Sequence, residues 1–300
     1  MMLKDTIKEI VRAHLMSGHK AYGQCLTAVG WVGGTLPELY EKDGMIELPM
    51  ADVAGAGFVV GAALAGGRPI YVIRYQGFNW FNAPIILNYA CKSKEIWERP
   101  CPMLIRSIAM EGAIGPVAGS SHHALYFRMP GVKIFSPMTS GEYEIVYNEF
   151  MKDDAVYYVS EHRGAYMNEL ELPDVLYENP DFVLMPISIT RFAAIEAAKE
   201  LRDRYNLKVS VVHQFQIKPY VMKARDQVKQ SKFGSAVIDD DYPDGIARSV
   251  AQRYHEELED CKPVFALGLQ NKSAGFSKRH DNLPPSKGDI VEFVKGRCNV

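Results

Sequence analysis

The sequence predicts an α/β protein of two domains, residues 1–180 and 181–300, each a mostly parallel sheet flanked by helices. Three observations lead there. Short runs rich in Val, Ile, Tyr and Phe alternate with stretches of helical period, as in a parallel sheet covered on both faces. An acidic, proline-containing stretch over 169–181 separates two such alternations and reads as a linker. The 300 residues, 47% hydrophobic and 23% charged, suffice for one large or two medium cores.

Composition also narrows the function classes. Formal net charge is −2 with no Lys/Arg block, which argues against a nucleic-acid or anionic-membrane surface and leaves small metabolites as substrates. Five cysteines, Cys25, Cys91, Cys101, Cys261 and Cys298, are odd in number, widely spaced and without a CxxC pair. That excludes a disulfide framework or structural zinc site as the first expectation and points to a reducing, cytoplasmic setting. The N-terminus carries acidic residues and no continuous apolar core, so a secretory signal is not expected, and no window approaches a membrane span.

In the first domain Leu3, Ile7, Ile10, Val11 and Leu15 share one helical face, and the helix is expected to end near Ser17-Gly18. Residues 23–35 hold four glycines and read as a loop at a site or interface. A short helix over 36–42 and a strand over 45–48 follow. Next comes Asp52, at the junction with an apolar, small-residue helix expected over 53–65. A carboxylate there is, by itself, an N-cap, because it can accept bonds from the first free N–H groups. Gly57 and Gly61 share a face of that helix, at a cost of about 1 kcal/mol each relative to alanine, which tight helix or subunit packing would offset. A dinucleotide fingerprint at Gly55-Ala-Gly57 would need a Val/Ile-rich strand just before it, and Glu47-Leu-Pro-Met-Ala-Asp52 is not one.

Strands are expected over 68–75, 101–108, 131–137 and 155–161, with helices over 82–94 and 140–151 between them. The aromatic stretch Phe78-Asn-Trp-Phe81 follows the first of these strands. The second opens into a Gly-rich loop over 111–123 that ends in His122-His123, the kind of loop that carries function on a rigid scaffold. In the second domain, strands over 182–187, 188–190, 207–213, 236–239 and 264–268 alternate with helices over 191–205 and 244–258, and a helix over 289–295 closes the chain. Asp239-Asp240-Asp241 reads as a solvated charge cluster at a strand end.

The ordered set Pro49-Met-Ala-Asp52, Gly61-Ala-Ala-Leu-Ala-Gly-Gly-Arg-Pro-Ile70, Phe78, Leu87-Asn-Tyr-Ala-Cys-Lys92, His122-His123 and Pro130-Gly-Val-Lys-Ile-Phe-Ser-Pro137 resembles the β subunit of thiamine-diphosphate-dependent 2-oxo acid dehydrogenases, the E1 component. It is more loosely similar to the middle domain of transketolases. The resemblance implies a pyrimidine-binding domain followed by a transketolase C-terminal-like domain. It implies that Asp52 bonds the aminopyrimidine of thiamine diphosphate and promotes its activation, and that an aromatic ring stacks on that heterocycle 26 residues later, at Phe78. His122 and His123 become candidates for orienting a substrate carboxylate or moving protons near neutral pH. No Cys, Asp or Glu stands beside them at ligand spacing, so no metal is expected on this chain. Arg163, after Glu161-His162, is read as part of a solvated turn.

Three departures from the pattern stand out. The family normally has glutamate at Asp52, so the carboxylate is retracted by about 1.5 Å. Gln24-Cys25 stands where acidic residues usually follow a glycine. The stretch between His123 and Pro130 is shorter than in the dehydrogenase β subunits. The Gly-Asp-Gly motif that holds Mg2+ and the cofactor's diphosphate in the family is also absent. The resemblance therefore implies an α-type diphosphate-binding partner, an α2β2 assembly, and a shared thiamine diphosphate with Mg2+ on the partner chain. Expected activity is decarboxylation of a 2-oxo acid with transfer of the acyl or aldehyde unit. Two alternatives stay open: a split transketolase-type two-carbon transferase subunit acting on a ketose, and a non-catalytic scaffold or regulatory partner.

Overall fold

The computed structural model describes residues 1–111, 119–275 and 277–300. The middle of the expected Gly-rich loop, residues 112–118, lies outside them. The strands are β1 (Ala21–Gly23), β2 (Met45–Glu47), β3 (Ile70–Ile73), β4 (Met103–Ala109), β5 (Val132–Phe135), β6 (Val156–His162), β7 (Phe182–Pro186), β8 (Val209–Val211), β9 (Gln216–Lys218), β10 (Gly234–Ile238) and β11 (Val264–Leu267). Two compact units result. The first comprises Met1–Met110, Ser121–Glu171 and Gln216–Pro219; the second comprises Leu172–Phe215, Tyr220–Val300 and the described ends of Glu111–Ser120.

The first unit is built on a seven-stranded sheet of order β2-β1-β3-β4-β6-β5-β9, parallel throughout except for β9, which runs antiparallel to β5. β3, β4 and β6 are buried along their whole length; β3 reads as a continuous apolar run, whereas β4 and β6 also bury Arg106, Ser107, Ser160, Glu161 and His162. The helix Leu3–Met16 turns its Leu3, Ile7, Val11 and Leu15 face inward, as its spacing predicts. Thr6 of that helix bonds Ser140 Oγ at 2.9 Å at the start of the helix Ser140–Phe150.

The expected helix over 36–42 is not formed. Pro37 biases its neighbour toward extended backbone, and only the single 3-10 turn Glu41–Asp43 appears. The glycine-rich stretch, expected as a loop, instead holds a helical turn over Ala28–Gly34 of left-handed sense: Val29, Gly30, Trp31, Val32 and Gly33 all have left-handed φ and ψ. Glycine adopts that conformation freely, whereas Val29, Trp31 and Val32 each cost about 1–2 kcal/mol there. The long helix expected over 82–94 starts earlier and carries a π turn, running as Asn79–Ile85, Ile86–Ala90 and Cys91–Trp97, with Pro84 removing one backbone donor just before the π turn.

The second unit is a four-stranded parallel sheet of order β11-β10-β7-β8. Its core is built by Phe182, Leu184, Leu201, Ile238, Ile290 and Val294 with their neighbours. No strand forms over 188–190. Ser188 has φ 53°, and the helix Thr190–Tyr205 begins at once, with the Thr190 hydroxyl bonding Ile187 O at 2.6 Å. The stretch over 169–181 is more than a linker, because Val175 forms an antiparallel bridge with Val211. The acidic triplet is not solvated either: Asp239, Asp240 and Asp241 are buried. Their position after β10 lets them serve as local acceptors, Asp239 Oδ1 for the Asp240 N–H at 2.9 Å and Asp241 Oδ1 for the Tyr242 N–H at 2.7 Å. Ser188 donates to Asp240 Oδ2 at 3.0 Å.

Candidate functional site

At the end of β2 the Leu48 N–H bonds Gly23 O at 2.7 Å, and both Glu47 carboxylate oxygens lie 3.0 Å from the Leu26 N–H. These bonds fix the start of the glycine-rich stretch beside the strand. Four residues after Leu48 the helix Asp52–Leu64 begins, with Ala51 as N-cap and no side-chain cap bond. Asp52 is therefore in the first helical turn, and its carboxylate is not the cap.

Instead it turns to a neighbouring helix. Asp52 Oδ1 accepts from Asn82 Nδ2 at 2.8 Å, and among the described residues Oδ2 has no hydrogen-bond partner. Asn82 is wholly buried; its second N–H bonds Phe78 O at 2.9 Å, and its Oδ1 accepts the Tyr71 hydroxyl at 2.6 Å. Burial and then the Asp52 charge push the Tyr71 pKa up, so the phenol remains a donor. Gly55 permits this approach, since a Cβ there would already lie 3.3 Å from the Tyr71 hydroxyl.

Asp52 and Phe78 line one cavity of about 200 Å³, together with Gln24, Cys25, Met50, Tyr71 and residues 72–75. Its wall is mostly apolar, with a few polar groups converging on it. Gln24 Nε2 is buried and has no hydrogen-bond partner among the described residues. A buried amide donor without a partner costs about 1–3 kcal/mol, and a ligand acceptor would remove that cost.

The two histidines part company. His122 is half-buried; its Nδ1 receives the Trp80 indole N–H at 3.4 Å and its backbone N–H bonds Gln76 Oε1 at 2.7 Å. His123 is wholly buried, with Nδ1 3.0 Å from Ser160 Oγ. Gln76 Nε2 reaches the same hydroxyl at 2.7 Å, and Asn79 Nδ2 bonds Ser107 Oγ at 2.8 Å. Neither histidine is among the residues lining the cavity. Arg163 is exposed and reaches Met110 Sδ. Reading the sequence alone misses Asn82 and Tyr71, although Asn82 stands four residues after Phe78, one helical turn on.

Residues 21–169 match the family described as transketolase, pyrimidine binding domain. The matched stretch is a domain of that family. Asp52, Phe78, His122 and His123 all fall within the matched residues of this pyrimidine-binding domain. Over more of its length the chain is similar to the pyruvate dehydrogenase E1 component subunit beta of Rickettsia felis, 25% identical over 285 residues, covering 88% of this chain and 86% of that one. The 2-oxoisovalerate dehydrogenase subunit beta of Bacillus subtilis is 28% identical over 196 residues, 58% of this chain and 59% of that one. Among solved structures, one described as a split gene transketolase, inactive beta4 tetramer, covers 100% of this chain and 98% of its own at a TM-score of 0.73 and 14% identity. That likeness shows the shared fold.

Proposed function

We propose that this chain is the β-type subunit of a heteromeric thiamine-diphosphate enzyme acting on a 2-oxo acid, and that it supplies the aminopyrimidine side of the site. The observation that carries this reading is the cavity in which Asp52, Phe78 and the unpartnered Gln24 amide meet. These residues fit the group. An aminopyrimidine is flat, apolar on its faces and polar at its edge, and the cavity offers an aromatic ring, a carboxylate oxygen and an amide donor. With the group bound, Asp52 would hold a proton at its ring edge, Phe78 would cover the ring and exclude water, and Gln24 would offer an amide donor. Thiamine diphosphate itself supplies the electron sink needed to cleave the bond beside a carbonyl.

His122, half-exposed against Trp80, is assigned to the substrate's carboxylate and to proton transfer. His123 holds the same turn in place through Ser160. The diphosphate and its Mg2+ are assigned to an α-type partner chain in an α2β2 assembly. Two observations support a partner. The helix Asp52–Leu64 is apolar all round, which in a folded chain calls for cover on every side, yet Val53, Phe58 and Leu64 are exposed. Nothing lies within 4 Å of a Cβ built on Gly57 or Gly61 on that helix. The likeness to a β4 tetramer described as inactive agrees with a β-type chain that needs its complement.

The test is to assay the chain alone, the α-type chain alone, and the two together with thiamine diphosphate, Mg2+ and a series of 2-oxo acids and ketoses. Turnover is expected only from the mixture. Turnover by the isolated chain overturns the split site, and preference for a ketose moves the reading to two-carbon transfer.

A further inference from the structure

We propose that Asn82 is a positioning residue that locks Asp52 and Phe78 into one rigid unit, with Tyr71 fixing the orientation of its amide. This rests on the reading of Asp52 as the aminopyrimidine contact. The geometry is closed on the Asn82 side. One Nδ2 hydrogen goes to Asp52 Oδ1 at 2.8 Å and the other to the backbone carbonyl of Phe78 at 2.9 Å. The amide oxygen is taken by the Tyr71 hydroxyl at 2.6 Å. A flipped amide would set its oxygen against the carboxylate and against Phe78 O, so the three partners admit one orientation.

One buried side chain thus holds the carboxylate and the aromatic residue at a fixed separation, although they lie 26 positions apart in sequence. The arrangement also spends one Asp52 oxygen on the protein and leaves the other for a ligand. Because Asn82 sits on the helix Asn79–Ile85 and Tyr71 on β3, the carboxylate is referred to the sheet through two rigid elements rather than through its own short side chain. A shift of the carboxylate by about 1 Å is enough to cost a bound ring its hydrogen bond.

The experiment compares Asn82→Asp, Asn82→Ala, Tyr71→Phe and Asp52→Ala in the complex of this chain with its α-type partner. It measures thiamine diphosphate affinity by calorimetry in the presence of Mg2+, and turnover as a function of pH. Asn82→Asp keeps the size of the side chain but sets two carboxylates together, so one proton must be shared between them. Affinity is expected to fall at least tenfold near pH 8 and to recover as the pH is lowered toward 6. A packing role for Asn82 would instead leave that nearly isosteric variant flat with pH. Tyr71→Phe, which keeps the ring and drops the hydroxyl, is expected to weaken binding about fivefold and decides the matter if Asn82→Ala does not fold. Binding and turnover within twofold of the parent in both Asn82→Asp and Tyr71→Phe, with Asp52→Ala inactive, overturns this inference and leaves the site reading intact. An active Asp52→Ala protein overturns the site reading itself.

Discussion

Two polar clusters lie within the first unit and differ in one respect: one is closed on itself and the other is left open. The closed one joins Arg106 of β4 to Glu161 of β6. Both are essentially fully buried, and the guanidinium meets the two carboxylate oxygens at 2.6 and 2.9 Å. Tyr143 and Tyr166 each donate to Glu161 at 2.7 Å, and Thr35 accepts two further guanidinium N–H groups at its backbone carbonyl and its hydroxyl. Burial alone would lower the Arg106 pKa; the Glu161 carboxylate reverses this and holds it above its ordinary value. Burial, and then Glu161, raise both tyrosines well above theirs, so every donor stays protonated. The open cluster, Asp52–Asn82–Tyr71, ends in a carboxylate oxygen that has no partner among the described residues and faces a cavity lined also by Gln24, whose amide has none among them either. A satisfied buried network specifies structure, whereas an unsatisfied one at a cavity is a site for something else.

Breaking each cluster should therefore give opposite results. Arg106→Met leaves Glu161 buried and uncompensated, and is expected to destabilise the chain by about 3–5 kcal/mol in chemical denaturation. Asp52→Ala is expected to change stability by less than about 1 kcal/mol, because the freed Asn82 donor can turn to water in the cavity. Equal destabilisation by the two would erase the distinction.

Buried histidines outside both clusters respond to acid. His14 is buried against Tyr147 with its pKa lowered to about 4, first by desolvation and then by His19. In the second unit His213 falls to about 3, by desolvation and then by Arg191. The folded state binds fewer protons than the unfolded one below pH 6.5, so stability is present above that pH and is lost as pH falls toward 4. His14 alone accounts for about 3 kcal/mol of that loss. The replacement His14→Phe should flatten the slope of denaturation midpoint between pH 6.5 and 4; an unchanged slope would show that His14 does not carry it.

The smallest effect on the isolated chain concerns the exposed glycines. Gly61→Ala should stabilise it by about 0.5–1 kcal/mol, since no neighbour crowds the new Cβ and alanine is the better helix former. Gly61→Leu should leave the isolated chain folded but block assembly with the α-type partner in size-exclusion chromatography. A complex of normal affinity would move the partner elsewhere.

The two clusters were not equally legible in the sequence. Strand–helix alternation reveals both sheets, because buried parallel strands carry continuous apolar runs such as Ile70–Ile73 and Phe182–Pro186. β1 and β9 escape notice, because β1 runs into the glycine-rich stretch read as a loop and β9 is a lone Gln-Ile-Lys triplet. The spacing of Asp52 and Phe78 along the chain is visible in the sequence. Asn82 and Tyr71 are not, because a lone Asn or Tyr in an apolar stretch announces no partner; their contact exists only once β3 and the helix Asn79–Ile85 are brought together. The same holds for Arg106 and Glu161, 55 positions apart. The Asp239–Asp241 triplet misleads in the opposite direction, since charge suggests solvent and says nothing of the backbone N–H groups that receive it.

The central claim is that Asp52 is the working carboxylate of a cofactor site shared with a partner chain. It is tested most directly by measuring turnover of the complex carrying Asp52→Ala at saturating thiamine diphosphate and Mg2+, with assembly checked on the same sample. The account predicts a loss of about 100-fold or more, the size expected when a positioned acid–base group is removed, with assembly intact. Undiminished turnover in a fully assembled complex would contradict it and leave the chain a scaffold.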